Sequence, residues 1–142
     1  MSTLNGQVIG QAHYATRALL ERATGPLGLS FGQVVALNAL AAGPVERAPL
    51  VHRITSTLKV DEPAVREVVD ALVRADLVQV DGPAPHVRLT DTGHATQARV
   101  AEAVAGITAR LYGDIPPAEA DVAARVLTLI TERANDELAG VA

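Results

Sequence analysis

Residues 50–80 read LVHRITSTLKVDEPAVREVVDALVRADLVQV, and the spacing of their apolar residues decides the fold. Leu50, Ile54 and Leu58 recur every four residues, which predicts a short helix beginning after Pro49. A tight link through Lys59 and Val60 leads to Asp61, a good N-cap, with Glu62 and Pro63 in the first turn that follows. Val65, Val68, Val69 and Leu72 then form the buried stripe of a second helix, over about 61–75. Two short helices joined by a few residues, the second amphipathic, are the helix-turn-helix signature. The period next drops to two. Leu77-Val78-Gln79-Val80 and His86-Val87-Arg88-Leu89 read as strands, and Asp81-Gly82-Pro83-Ala84-Pro85 as the turn between them. Behind a helix-turn-helix such a hairpin, over about 77–90, is a wing.

Outward from this centre, residues 3–24 carry Leu4, Val8, Ala12, Ala15, Leu19 and Ala23 at helical spacing, stopped by Gly25-Pro26 and Gly28. Ser30 with Gln33 predicts a capping box for a helix closed by Gly43-Pro44. On the other side, Asp91 or Thr92 caps a long helix to about Leu111, which Gly113 and Pro116-Pro117 break. A last helix covers 117–138, with Glu119 suited to its positive end. Val122, Val126, Leu129, Ile130 and Leu138 give that helix more apolar surface than one small winged lobe covers. The fold class is therefore mainly α with a small β-hairpin wing: a single domain over 1–142, with a winged helix-turn-helix lobe at 30–90. The flanking helices, 3–24 and 91–138, are read as dimerisation helices. An extra helical layer on a monomer is the other reading.

Composition narrows the function. The 142 residues are 49% hydrophobic, with one Phe, two Tyr and no Trp, so Ala, Val and Leu must fill the core. The lack of cysteine excludes a disulfide scaffold, a thiol redox sensor and any Cys-ligated metal. No apolar run approaches the roughly 20 residues of a membrane span, and Met1 to Gly10 lacks a secretory pattern. A soluble, cytoplasmic protein with no membrane partner is expected. The net charge of −4 argues weakly against nucleic acid, but it is unevenly placed. Residues 91–142 hold four Arg against eight acids, whereas 45–90 hold six basic residues against seven acids. No nucleophile elbow, phosphate loop or dinucleotide fingerprint appears, so no enzyme activity and no cofactor are expected. His13, His52, His86 and His94 are scattered without ligand spacing, and no metal site is expected.

In this order the elements resemble the multiple-antibiotic-resistance regulator (MarR) family of winged helix-turn-helix repressors. Gly28-Leu29-Ser30 with Gln33, Val35, Leu37 and Leu40 resembles the family's second helix. Val60-Asp61 with Val65, Val68-Val69-Asp70 and Leu72, then Leu77-Val78, resembles its recognition helix and exit into the wing. Val87 to Ala95, with Leu89-Thr90 and Gly93, matches the junction "LT-x-x-G", and Pro116-Pro117-Ala118-Glu119 fits the start of the last helix. The resemblance spans about residues 3–138. It implies a homodimer that places one recognition helix per subunit in successive major grooves of a double-stranded operator. It also implies a wing-tip Arg in the minor groove, and release of DNA when a small effector, often an aromatic acid, binds between the dimer helices and the winged lobe. The chain departs from the pattern: Glu62, Pro63 and Ala64 stand where a basic residue and Ser/Thr are common, and Arg66-Glu67 where Thr-Arg is. The wing lacks an Asp-Arg-Arg tip, and Val45 to His52 is a few residues longer than usual.

On this reading phosphate contact falls to Arg53, Ser56, Thr57, Lys59, Arg66 and Arg88, with His86 as the other basic wing residue. Arg66 is the best base reader; its competing role is an i, i+4 partner of Glu62 or Asp70. Thr55 and Ser56 either position phosphate or do nothing specific. Ala64 stands on the groove-facing turn, where its methyl cannot hydrogen-bond a base edge. His13, Tyr14 and Arg17 lie near the family's effector pocket and suit a carboxylated aromatic ligand; dimer packing is the other reading. Tyr112 either lines the same region or fills space. The function expected is a ligand-responsive, dimeric, bacterial-type transcription regulator, a repressor released by a small molecule. Two alternatives remain: a repurposed scaffold that binds or transforms a small molecule in the dimer cleft without reading DNA, and a protein-binding partner of another regulator.

Overall fold

The computed structural model describes residues 3–82 and 86–140. Pro83, Ala84 and Pro85 of the wing turn lie outside the described residues. The chain divides into two compact units, Met1–Ile107 and Thr108–Ala142. The first holds α1 (Gly6–Thr24), α2 (Phe31–Ala39), β1 (Val45–Glu46), α3 (Arg47–Leu58), α4 (Glu62–Arg74), β2 (Val78–Val80) and β3 (His86–Leu89). It also holds α5 (Asp91–Tyr112) as far as Ile107; the end of α5 and α6 (Pro117–Leu138) form the second.

Local chemistry sets the helix starts. Asn5 caps α1 by accepting from the Val8 amide at 3.0 Å, so the helix begins at Gly6 rather than at residue 3. A single 3-10 turn, Gly25–Leu27, ends it, and Gly28 (φ 76°) reverses the chain. The Ser30 hydroxyl accepts from the Gln33 amide while Gln33 Oε1 accepts from the Ser30 amide, a complete capping box. Asp61 likewise caps α4 through the Ala64 amide at 3.0 Å.

The region before α3 differs from the sequence-based expectation in two respects. Val45–Glu46 is a strand, too short to show a period, that pairs with β3 (Val45 with Val87, Glu46 with His86). The hairpin is thus part of a three-stranded antiparallel sheet ordered β1-β3-β2. And α3 starts at Arg47, with Pro49 inside its first turn. Proline is tolerated there because the first amides of a helix have no acceptor within it.

Side chains from α2, α3, α4, the sheet and α5 share one core: Val34, Leu37, Leu40, Leu50, Ile54, Val65, Val69, Leu72, Val87 and Val100 are essentially fully buried. Each contributes about 1.5–3 kcal/mol relative to an exposed position. The end of α4 is locked to this core. Asp76 takes a left-handed conformation (φ 60°), and the amides of Leu77 and Asp76 donate to the carbonyls of Leu72 and Val73, both at 3.0 Å. These are the two bonds of a Schellman cap, with Leu72 and Leu77 buried beside it. The start of α5 is tied to the same turn. Thr90, rather than Asp91 or Thr92, is the capping residue: its hydroxyl accepts from the Gly93 amide at 3.0 Å and donates to the Asp76 carbonyl at 2.7 Å. A Cβ on Gly93 would lie 1.9 Å from the Leu77 carbonyl oxygen. The Leu-Thr-x-x-Gly pattern is thus the chemistry of one tight junction.

In the second unit, the Gly113 amide closes α5 on the Ala109 carbonyl, and Pro117 opens α6. None of the 22 residues of α6 is buried.

Candidate nucleic-acid interface

The helix-turn-helix is α3, a turn and α4. Lys59 makes the turn in a left-handed conformation (φ 57°), closing α3 with its amide on the Thr55 carbonyl at 2.9 Å. Val65, Val69 and Leu72 hold one face of α4 in the core, which turns Glu62, Ala64, Arg66, Glu67, Asp70 and Arg74 outward.

Most of the cations along this surface are already matched. Arg66 donates from Nε (3.0 Å) and from Nη2 to the same oxygen, Glu62 Oε1. Arg74 pairs with Glu67 at 2.7 Å, and Arg47 reaches from α3 to Asp70 at 3.3 Å. In the wing, Arg88 pairs with Asp81 at 3.3 Å, and Gln79, opposite Arg88 in the strand register, donates to the same carboxylate. Exposed pairs of this kind contribute little to stability. Their effect here is electrostatic: both Arg of α4 have a carboxylate within 3 Å. Among the described residues Arg53 makes no ion pair.

Two depressions flank α3. One, of about 230 Å³, brings Arg53 and Thr57 together with Asn38 of α2. The other, of about 400 Å³, brings Thr55 and Arg66 together with Arg47, His52 and Glu62. Thr55 Oγ1 is buried there and makes no hydrogen bond among the described residues. Ser56, Lys59 and Ala64 are exposed, and His86 is half-buried opposite Glu46. Arg47 and His52 were absent from the sequence-derived set. Starting α3 at Arg47 exposes the signal for Arg47, since Arg47, Val51 and Thr55 then fall at i, i+4 and i+8; His52 is outside that row.

The candidate effector residues divide between the units. On α1, the rings of His13 and Tyr14 lie 5.5 Å apart, inclined by 60°, and Tyr14 is largely exposed. Arg17 is engaged by Glu21 at 2.6 Å, and its guanidinium carbon sits 4.3 Å from the centre of the Phe31 ring. Tyr112 lies at the end of α5 in the second unit, half exposed. No group of three or more acidic or imidazole side chains that could hold a metal exists among the described residues. Among the described residues no helix is long and apolar enough to cross a membrane.

This is a winged helix-turn-helix with long terminal helices, the fold of the MarR-type regulators. No protein-family model and no curated protein matches the sequence. Solved structures do match in fold, across nearly the full chain. CouR from Rhodococcus jostii, bound to p-coumaroyl-CoA, superimposes with a TM-score of 0.74 at 19% identity, over 89% of this chain and 90% of that one. A variant of MarR from E. coli in complex with operator DNA gives 0.73 at 20% identity, over 88% and 91%. A Mycobacterium tuberculosis MarR family protein in complex with p-aminosalicylic acid gives 0.68 at 22% identity, over 90% and 98%. At these identities the likeness establishes the fold.

Proposed function

We propose that this protein is a dimeric, ligand-responsive transcription regulator of the cytoplasm that binds a pseudo-palindromic operator and is released by a small molecule. The observation that carries the reading is α4 itself, capped at Asp61 and projecting an exposed N-terminal turn from a lobe shaped like that of an operator-bound neighbour. A second copy of the chain accounts for the face of α6 that carries Val122 and Leu129, both exposed. DNA contact is assigned to Arg53, Ser56, Thr57, Lys59, Ala64, Arg66, His86 and Arg88, with Thr55 beneath them. His13, Tyr14, Arg17 and Tyr112 are assigned to the effector; the ligands of two neighbours support an aromatic one, and p-aminosalicylic acid on one of them supports an acid.

The paired arginines favour one further reading, a scaffold that binds a small molecule and no longer reads DNA. The two readings separate in a titration of the protein against the region upstream of its own gene at low salt. The first requires sequence-specific binding with a shallow salt slope, since each phosphate contact contributes only about 0.9 to it. Arg53→Ala should lower that slope by about one. Absence of sequence-specific binding, with recognition helices set far from the ~34 Å repeat of a dimer site, would establish the second.

A further inference from the structure

We infer that the Glu62–Arg66 pair reads bases as a unit, with Glu62 as a cytosine-selecting acceptor rather than a residue that merely repels phosphate. The inference rests on the DNA-binding reading above. Of the three ion pairs that α4 makes among the described residues, Arg47–Asp70 ties the helix to α3, and Glu67–Arg74 runs along its later turns. Glu62–Arg66 alone occupies the first turns, the end that enters a groove in helix-turn-helix docking. Both side chains are more than half exposed there.

Their geometry leaves a defined edge. Arg66 spends Nε and one Nη2 hydrogen on Glu62 Oε1. Glu62 Oε2 and Arg66 Nη1 make no hydrogen bond among the described residues, and the second Nη2 hydrogen remains. The pair is neutral as a whole, so it adds no net repulsion from phosphate. What it offers outward is a carboxylate acceptor beside guanidinium donors. In the major groove, guanine presents two acceptors, N7 and O6, and cytosine presents the N4 amino donor. Adenine also has an amino donor, but its N7 lone pair lies on the same edge and would face the carboxylate. The complementary target is therefore a cytosine adjacent to a guanine, with Arg66 on guanine and Glu62 Oε2 on cytosine N4. Of the neighbouring positions, Pro63 and Ala64 have no polar side-chain atom, and Asp61 serves as the cap, its Oδ1 accepting from the Ala64 amide.

The test is selection from a random double-stranded DNA pool with the full-length wild-type protein and with Glu62→Gln. Wild type should enrich half-sites carrying a cytosine next to a guanine. In Glu62→Gln the cytosine position alone should turn towards adenine, which glutamine reads through N6 and N7. Affinity for the wild-type site should fall on the order of tenfold. If Glu62→Gln keeps every preference and simply binds all sequences more tightly, Glu62 only repels phosphate and the inference fails. If wild type enriches a site without that cytosine, the inference fails while DNA binding stands. Enrichment of nothing by wild type would overturn both.

Discussion

Two amphipathic helices of this chain, α4 and α6, end in opposite states. In α4, 13 residues long, Val65, Val69 and Leu72 are each 1% exposed, covered by α2, α3 and the sheet of the same lobe. In α6, 22 residues long, no residue is buried, and Val122, Leu127, Leu129 and Leu138 are between 42% and 73% exposed. The same helical spacing recurs in both, as Val65, Val69 and Leu72 in α4 and as Val122, Val126 and Leu129 in α6, where Val126 is half-buried. The contrast teaches that a period reports which face is apolar and says nothing of which surface covers it. A stripe in the middle of a lobe meets neighbours contributed by its own chain; the one on α6 stays exposed in the single chain.

The largest effect should come where the covered lobe is locked. Gly93→Ala puts a methyl 1.9 Å from a carbonyl oxygen held by the Thr90 amide, so backbone must move. We expect a loss of about 4 kcal/mol or more in urea unfolding, with the winged lobe failing first. A neutral result would mean that the α4–α5 junction is plastic, and would weaken the contrast with α6. Next, Leu72→Ala should cost about 2–4 kcal/mol at any protein concentration, through the cavity it leaves. Leu129→Ala should leave lobe stability within about 0.5 kcal/mol and instead weaken self-association, seen as a concentration-dependent shift in sedimentation. If the two substitutions behave alike, α6 is not a free interface. A small gain is expected at Asp76, a non-glycine in a left-handed conformation at the end of α4. Asp76→Gly relieves that strain and an acid at the negative end of the helix, and should stabilise the lobe by about 0.5–1 kcal/mol. Destabilisation instead would show that the aspartate side chain itself holds the turn.

Much of the architecture was legible because short-range chemistry determines it. The Ser30–Gln33 box, the Asp61 cap, the Val65–Val69–Leu72 stripe and the Pro117 start all depend on residues within a turn or two of each other. The strand β1 was not legible, because two residues carry no period and its partner, β3, lies some forty residues away. The same holds for the site. The sequence spacing marked Glu62 as an available partner of Arg66, but left open whether the arginine took it, took Asp70, or pointed at a base. The structure gives Arg66 to Glu62 and Asp70 to Arg47.

The −4 charge, read as a total, was the least informative feature, since residues 91–142 alone hold eight acids against four Arg. By itself the sequence determined the order of elements, the capping chemistry and the faces of the helices, because each depends on neighbours along the chain. Tertiary structure alone decided the third strand, the role of Thr90 and Gly93 in one joint, and the pairing of Arg47 with Asp70 across two helices. Each of these is a contact between groups whose closeness exists only once the core has packed.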